Sequence, residues 1–461
     1  MSEQSDHVIY RVLVFGREGT EILLTRSDSG VQFPEVTIPR WERLAENITS
    51  RMKQEWGVEV VCLFEPDWPL ADETFRYIVT RHWRVCGSRP APLQWIPVTE
   101  LAANLFVNFD DFRVVHESLA KCRQSPSDAE IGAFARLSWF EQVCKWAGQA
   151  LAPRGLHLTG GFRQLNACTT FSLIRFETNG PAVWFKAVGK PKEREFSITV
   201  SLAQLFPDYV PELLASNLLW NGWLTSEFNG AELVERRELE VWKLAAKRLA
   251  SLQIESLGKV MQFRGAGAHD LNPAELSTMI DPFLEIIGEL MAQQSKIPPS
   301  VLTQQELASL GEHINDALAV IDHWIPEALG HLDPNPGNIM IAPGRCVFLD
   351  WAEAYVGHAF YTFEYLLEHF RHTFGDDEQL KRELTESYAA QWRDTVSCRA
   401  VADALAVTPL LAVFAYAAGG GLAWDRESLR QPSFAGYLRG LARRMNREAN
   451  RIIERRPQCC M

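Results

Sequence analysis

The chain lacks most of the patterns that mark a secreted or a nucleic-acid-binding protein. Its nine cysteines, an odd number, include no C-x-x-C pair, and reduced thiols in a cytoplasmic protein explain them best. No charged segment followed by an apolar run opens the chain, which agrees with a cytoplasmic location. The net charge of −12 disfavours nucleic acid as a partner, because phosphate contacts need basic surfaces.

Several catalytic motifs are also missing from the 461 residues. There is no H-E-x-x-H, no G-x-x-x-x-G-K-[ST] and no G-x-S-x-G, so metalloprotease, P-loop and hydrolase-elbow functions lack support. The uncharged stretch from Ala404 to Trp424 is long enough to cross a bilayer. Because it contains Pro409 and a Gly triplet and has no partner segment, we expect a buried helix and no membrane partner.

Length and composition favour two or three domains. The polar segment 123–130, with its Ser-Pro-Ser, is the best candidate linker. It would separate an N-terminal domain, residues 1–122, from a C-terminal part, residues 131–461.

The strongest chemical pattern lies in the C-terminal part. His331, Asp333 and Asn338 read H-x-D-x-x-x-x-N, and Asp350 closes a later apolar run. Transfer of a phosphoryl group needs positioning, a divalent metal and a group that accepts or orients the proton of the acceptor. This spacing of carboxylates and an amide supplies such groups.

Two short apolar runs between these residues predict a hairpin. Ile339–Ile341 and Cys346–Leu349 flank Ala342-Pro343-Gly344-Arg345, a composition typical of a tight turn. Asn338 would begin the hairpin and Asp350 would follow it, so that an amide oxygen and a carboxylate converge on one Mg²⁺.

A second hairpin is predicted upstream. An Asn179-Gly180 turn joins a strand at 169–177 to a strand at 182–188. Lys186 would project from the second strand, where a kinase needs a cation for the α- and β-phosphates. The Gly160-Gly161 pair ahead of the hairpin is predicted to form a loop that covers the nucleotide.

These motifs resemble the aminoglycoside phosphotransferase and choline kinase group of small-molecule kinases, in which the loop commonly reads H-G-D-x-H-x-x-N and an I-D-W follows. Leu332 and Asn335 replace the group's usual Gly and His, and Glu364 is the only acidic candidate for a further Asp. The resemblance implies a two-lobed, protein-kinase-like fold that uses ATP and Mg²⁺. Asp333 would be catalytic, with His331 supporting its loop.

The resemblance extends to the predicted small lobe, residues 131–230. It implies that Glu195 braces Lys186, with Glu193 as second choice. The segment 223–230, which includes Glu227, would be the interlobe hinge whose backbone faces adenine. In the large lobe, residues 231–461, Gln253 stands where the group often has a His.

The first 122 residues resemble a different family, the Nudix hydrolases. Strands at 10–15, 21–26 and 77–85 and a helix at 43–56 follow the Nudix order, with Leu44, Ile48 and Met52 on one buried face. With the catalytic box anchored at Gly57, Glu42 and Glu55 match, but Arg51 and Gln54 replace two glutamates. The resemblance implies an α/β/α sandwich. Because the positive charge of Arg51 repels magnesium, we expect that this domain does not hydrolyse diphosphates.

Taken together, the sequence predicts an α+β protein that transfers phosphate from ATP to the hydroxyl of a small molecule. Two alternatives stay open: a catalytically impaired nucleotide-binding sensor or scaffold, and an active Nudix hydrolase. The sequence does not identify the acceptor, a ligand of the N-terminal domain or the oligomeric state.

Overall fold

The computed structural model of the chain describes residues 7–66, 75–85, 93–124, 132–322 and 325–455. The chain forms two compact units, Met1–Phe196 with Glu212–Glu227, and Ser197–Pro211 with Phe228–Met461. The first unit combines the predicted N-terminal domain with most of the predicted small lobe. The predicted boundaries stay a prediction, and most of the linker 123–130 lies outside the described residues.

A seven-stranded mixed sheet forms the N-terminal part of the first unit. Its strands are β1 (His7–Phe15), β2 (Glu21–Ser27), β3 (Gly30–Gln32), β4 (Glu35–Pro39), β5 (Val58–Phe64), β6 (Phe75–Val85) and β7 (Leu93–Pro97). The order is β3-β2-β1-β6-β5, with β4 also paired to β1 and β7 to β2. Strands β1 and β6 run parallel. The helices are α1 (Leu44–Trp56) and α2 (Phe109–Arg123).

Helix α1 forms where the apolar spacing predicts it. Ile48 and Met52 are fully buried, whereas Leu44 is only partly covered. The helix ends because Gly57 adopts the left-handed conformation, with φ 65°, and its N–H donates to the carbonyl of Met52. The predicted strands at 10–15, 21–26 and 77–85 are likewise present.

The second sheet of this unit has five antiparallel strands in the order β11-β12-β10-β9-β8. They are β8 (Leu158–Gln164), β9 (Phe171–Thr178), β10 (Val183–Val188), β11 (Leu213–Asn217) and β12 (Gly222–Ser226). Helix α3 (Trp139–Leu151) precedes them and α4 (Arg194–Leu205) follows β10. The Asn179-Gly180 turn joins β9 to β10 as predicted, and Lys186 faces Leu173 across the ladder.

The two sheets of the first unit share one hydrophobic core. Phe15 of β1, Phe140 of α3, and Phe176 and Phe185 of the second sheet belong to the same buried cluster. The buried side chain of Gln164 adds a polar link: its Oε1 accepts from Cys62 N–H at 2.8 Å, and its Nε2 donates to the Cys62 carbonyl at 2.8 Å. This amide satisfies both backbone groups of Cys62.

The second unit is mainly helical. Its helices are α5 (Leu239–Ser256), α6 (Val260–Gly265), α7 (Pro273–Ala292), α8 (Gln304–Asp322), α9 (Phe360–Phe374), α10 (Glu378–Ala389), α11 (Cys398–Phe414) and α12 (Pro432–Arg455). Its strands are β13 (Ala231–Glu232), β14 (His269–Leu271), β15 (Glu327–His331), β16 (Ile339–Ala342), β17 (Arg345–Phe348) and β18 (Ala354–His358). They form two three-stranded sheets, β13-β16-β17 and β14-β18-β15.

Helix α11 overlaps the stretch from Ala404 to Trp424, which is long enough to cross a membrane. Within the described ranges, Cys398–Trp424 is the one helical stretch that passes a length-and-composition test for a span, and 67% of its apolar window is buried inside the protein. That burial is typical of a core helix. The helix ends in a π-helical turn, Ala415–Gly419.

We predict that Gln164→Ala lowers the free energy of unfolding by about 2 kcal/mol, because it leaves the buried N–H and carbonyl of Cys62 without partners. Urea denaturation followed by tryptophan fluorescence measures the loss. The matched control is Gln142→Ala, since Gln142 is exposed on α3 and its amide bonds to Ser138. Equal losses of unfolding free energy in the two variants would show that the hydrogen bonds between Gln164 and Cys62 do not stabilise the protein more than an exposed side-chain hydrogen bond does.

Candidate active site

The loop that carries Asp333 starts at the end of a buried strand. His331 closes β15, where it pairs with Ala354 of β18. The next residue, Leu332, is buried, and its N–H donates to the carbonyl of Glu353 at 3.0 Å. Because the chain turns outward from this anchor, Asp333 is exposed. Its carboxylate is therefore accessible to a ligand at a small desolvation cost.

The imidazole of His331 joins two acidic segments. Its Nδ1 accepts from Asp333 N–H at 3.0 Å, and its Nε2 lies 3.2 Å from the carbonyl of Leu349. This pair of partners fits a neutral ring protonated on Nε2. Burial lowers the pKa of His331, so the ring stays neutral near pH 7. A depressed His pKa costs stability as the pH falls below its unfolded value of about 6.5.

The predicted hairpin is confirmed. Strands β16 and β17 pair from Ile339 opposite Phe348 to Ala342 opposite Arg345, and Gly344 adopts φ 71° in the turn between them. Leu349 N–H donates to the Asn338 carbonyl at 2.8 Å. Asn338 and Asp350 therefore flank the same end of the hairpin, as the sequence predicts.

Asp350 has an unusual backbone conformation. Its φ is 58° and its ψ 62°, a left-handed region that residues other than glycine rarely adopt. Such conformations cluster at functional sites, where the surrounding structure holds them in place. The side chain of Asp350 is exposed directly after the buried end of β17.

The residues at this end of the hairpin suit a magnesium ion that a nucleotide helps to hold. Among the described residues, no group of three or more His, Cys, Asp and Glu side chains is arranged to hold a metal. Mg²⁺ commonly takes one or two carboxylates and completes its shell with phosphate oxygens and water. An amide oxygen from Asn338 and a carboxylate from Asp350 match that chemistry.

In the first unit, Lys186 meets the partner that the sequence favours. Its ammonium forms an ion pair with the carboxylate of Glu195, and the two side chains are 13% and 2% exposed. Such burial makes the pair strongly interdependent, because either charge alone would be costly. Glu193, the second choice, has instead one buried carboxylate oxygen without a hydrogen-bond partner.

The Gly160-Gly161 pair does not form the expected loop. Both residues lie inside β8, at an irregularity in its pairing with β9, and Gly160 has φ 88°. The carbonyl of Gly160 accepts from Arg84 Nη2 at 2.9 Å. The loop between the first two strands of this sheet is 165–170. It contains no glycine, so a Gly pair does not indicate this loop as the nucleotide cover.

Glu227, in the predicted hinge, has a structural contact that the sequence did not reveal. Arg175 of β9 donates to both of its carboxylate oxygens, at 2.6 and 2.9 Å. This bidentate contact lowers the pKa of Glu227. Its N–H donates to the Ala182 carbonyl at 3.0 Å. The carboxylate of Glu227 is thus engaged within the protein.

Two buried polar residues support the Asp333 region: Gln253, which the sequence placed where the group often has a His, and Thr362, which no motif indicated. Thr362 of α9 accepts from His331 N–H at 2.8 Å through its hydroxyl. Gln253 of α5 donates to the Ala359 carbonyl at 2.7 Å and accepts from the Tyr388 hydroxyl at 2.6 Å. Gln253 therefore holds the start of α9. A polar residue in an apolar helical stretch is the signal that could have drawn attention to Thr362.

Glu364, the acidic residue that follows the hairpin, is buried on α9. Its Oε1 has no hydrogen-bond partner and lies 3.7 Å from Nη1 of Arg371. Burial raises the pKa of Glu364 to about 7, against the opposing effect of Arg371, Arg444 and Lys381. A carboxylate in this position is not exposed to bind a metal directly.

Of the residues aligned with the Nudix box, Arg51, Gln54 and Glu55 lie on α1, whereas Glu42 precedes the helix and Gly57 ends it. Arg51 donates to Glu55 Oε1 at 3.0 Å, and Gln54 donates to the Ser50 hydroxyl at 3.2 Å. The matching carboxylate is therefore paired with the very residue that replaces a box glutamate. The expected lack of hydrolysis by residues 1–122 stays a prediction.

Comparison with known protein families finds a match within the C-terminal part of the chain. Residues 190–404 match the model of the phosphotransferase enzyme family, APH. The match spans a little under half of the chain and includes Glu195, Asp333, Asn338 and Asp350, whereas Lys186 precedes it. No curated protein matches the chain.

Solved structures of small-molecule kinases are similar to the chain at low identity. A macrolide 2'-phosphotransferase from Brachybacterium faecium shares 14% identity, with 65% of this chain and 98% of that chain covered and a TM-score of 0.42. Choline kinase from Cryptosporidium parvum shares 12%, covering 69% and 96%, with a TM-score of 0.44. Plasmodium vivax ethanolamine kinase shares 12%, covering 71% and 94%, with a TM-score of 0.46.

We predict that Glu364→Gln stabilises the protein at alkaline pH but not at pH 5. The folded-state pKa of this carboxyl is raised from 4.5 to about 7, so wild-type stability falls as the pH rises through that interval. Above it, the variant should gain on the order of 3 kcal/mol relative to wild type. Melting at pH 5.0 and 8.5 measures the difference. The exposed Glu312 of α8 provides the control Glu312→Gln, and equal gains in both variants would contradict the prediction.

Proposed function

We propose that the protein is a magnesium- and ATP-dependent phosphotransferase that acts on a hydroxyl group of a small molecule. One observation carries the proposal: Asp333, Asn338 and Asp350 lie within an APH domain, and the ring of His331 joins the segments that hold the two carboxylates. The exposure of Asp333 agrees with a group that meets an acceptor.

In this proposal Asp333 accepts or orients the proton of the acceptor hydroxyl. The acceptor oxygen bonds to the γ-phosphorus of ATP while the bond from that phosphorus to the bridging oxygen breaks, and ADP leaves. His331 positions Asp333 through the hydrogen bond from the Asp333 N–H. Neutral imidazole is required for this, because a protonated Nδ1 cannot accept.

Asn338 and Asp350 would hold Mg²⁺, which neutralises charge that develops on the phosphates. Lys186 would bind the non-transferred phosphates, and Glu195 positions its ammonium through the buried ion pair. Loop 165–170 is the better candidate for a nucleotide cover than Gly160 and Gly161, since those glycines are part of β8. Glu227 would contribute backbone rather than its carboxylate, which Arg175 already binds.

A nucleotide-binding sensor or scaffold is the second candidate. It is favoured by Leu332, which is buried in the position of the family's usual Gly, and by Asn335, whose side chain accepts from the Gly337 N–H at 2.9 Å and so is engaged within its own turn. Either change can reshape the loop that meets an acceptor. The sensor would bind ATP without passing on its phosphate.

For residues 1–122 we propose a Nudix-like domain that does not hydrolyse diphosphates. The ion pair between Arg51 and Glu55 supports the loss of activity, because it places a guanidinium beside the matching carboxylate. Cytoplasmic location, an absence of nucleic-acid and membrane partners, and an acceptor from the antibiotic, sugar or amino-alcohol classes complete the proposal.

We predict that Asp333→Asn reduces turnover by about 10²- to 10⁴-fold, the usual contribution of a positioned acid or base, while ATP still raises the melting temperature. ATP consumption with Mg²⁺ across a panel of alcohols, amino alcohols and aminoglycosides measures activity. The control is Asp394→Asn, a change at an exposed aspartate outside the loop.

Full activity in Asp333→Asn would exclude the role assigned to this carboxylate. If ATP stabilises the wild-type protein but no acceptor in the panel leads to consumption of ATP, the sensor hypothesis is favoured over the transferase. A melting shift and acceptor-dependent consumption together would support the transferase.

We also predict that the full-length protein with Asp333→Asn cleaves no nucleoside-diphosphate substrate in the presence of Mg²⁺. This background removes transfer by the APH domain and leaves α1 intact. Release of nucleoside monophosphate, followed by chromatography, is the measurement. Cleavage that Glu55→Gln abolishes would show that the Nudix-like domain is active.

A further inference from the structure

A charged cavity lies apart from the Asp333 loop, between α9, α10 and α12 of the second unit. Its volume is about 530 Å³, and every side chain that lines it is charged. Five are cationic: Arg371, Lys381, Arg444, Arg447 and Arg451. Four are carboxylates: Glu368, Asp376, Glu378 and Glu448. Small-molecule sites commonly measure about 300 to 1,000 Å³.

The cations converge because of helical spacing. Arg444, Arg447 and Arg451 of α12 follow one another at three and four residues, so they share one helical face. Arg371 of α9 and Lys381 of α10 face them from the other helices. A smaller chamber of about 60 Å³ shares both of these residues and is lined further by Ala406, Pro409 and Ile452.

The carboxylates of the cavity do not satisfy all of the positive charge. Arg371 and Arg444 both pair with Glu368, at 3.0 and 2.8 Å. Lys381 pairs with Glu378 at 3.5 Å and Arg451 with Glu448 at 2.7 Å. In the part of the chain that the structure describes, Arg447 is exposed, lines the cavity and makes no ion pair or side-chain hydrogen bond. The five cations of the cavity therefore outnumber its four carboxylates by one.

A second observation comes from behind the cavity wall. Glu364 is 4% exposed, and its unpartnered Oε1 lies 3.7 Å from Arg371. Its raised pKa of about 7 means that it only partly neutralises the cations at physiological pH. Arginine forks favour phosphate, which accepts paired hydrogen bonds from them.

We propose that this cavity binds a small, multiply charged anion that carries phosphate groups. The site is independent of the proposed transferase function. Since the cations line a recess rather than a flat face, a free anion fits it better than a bilayer surface. Two other arginines of α12 are engaged elsewhere: Arg439 donates to the Leu290 carbonyl at 3.2 Å and Arg443 to the Ser300 carbonyl at 2.7 Å.

Calorimetric titration with inorganic pyrophosphate tests the site. The experiment uses the full-length protein in EDTA at constant ionic strength, so that no metal supplies affinity. We expect saturable binding. Arg447→Gln should weaken it about tenfold, as expected for loss of one charge-assisted hydrogen bond.

The matched control is Arg399→Gln, because Arg399 is 91% exposed on α11 and does not line the cavity. Arg451→Gln is a second test variant, also on the exposed side of α12. Absence of saturable binding, or equal weakening by the control and the cavity variants, would overturn the proposal and leave a network of ion pairs only. Neither Arg447 nor Arg451 belongs to the proposed transfer site, so either result is separate from the outcome for ATP transfer.

Discussion

The loop that carries Asp333 and the end of the hairpin at Asp350 both depend on the neutral ring of His331. Its Nδ1 accepts a hydrogen bond from the N–H of Asp333, and its Nε2 lies within hydrogen-bond distance of the carbonyl of Leu349, the residue before Asp350. Because the ring is buried, its hydrogen bonds do not compete with water, and the distance between the two backbone segments is set by the width of an imidazole. The carboxylates themselves remain exposed, so the rigid part of the arrangement is buried and the reactive part is accessible.

The ion pair between Lys186 and Glu195 is buried, in contrast to the exposed carboxylates of Asp333 and Asp350. Glu195 is almost completely buried, and only the ammonium of Lys186 makes such burial tolerable. The pair therefore specifies the position of Lys186 on β10, while the exposed part of the ammonium can still meet an anion. The exposed carboxylates of Asp333 and Asp350 can exchange ligands, whereas the buried carboxylate of Glu195 keeps one fixed partner.

The N-terminal part of the chain is structurally tied to the sheet that carries Lys186. Gln164 bridges to Cys62, Arg84 donates to the Gly160 carbonyl, and Arg163 forms an ion pair with Glu46 at 2.9 Å. Together with the shared apolar core, these contacts make the first unit one packed body. The N-terminal part thus stays in contact with the sheet, and it buries surface that the sheet would otherwise expose.

Local patterns in the sequence determined the elements that carry the candidate site. These patterns are the Asn179-Gly180 turn, the Pro343-Gly344 turn and the spacing of Ile48 and Met52. Each involves residues close together in the chain, so it predicts local structure without knowledge of the fold. The tertiary structure decided four other features: the placement of Gly160 inside β8, the contact between Arg175 and Glu227, the core common to both sheets, and the charged cavity. Each of these depends on residues far apart in the chain, and neither periodicity nor motif spacing records which distant side chains will share a buried space.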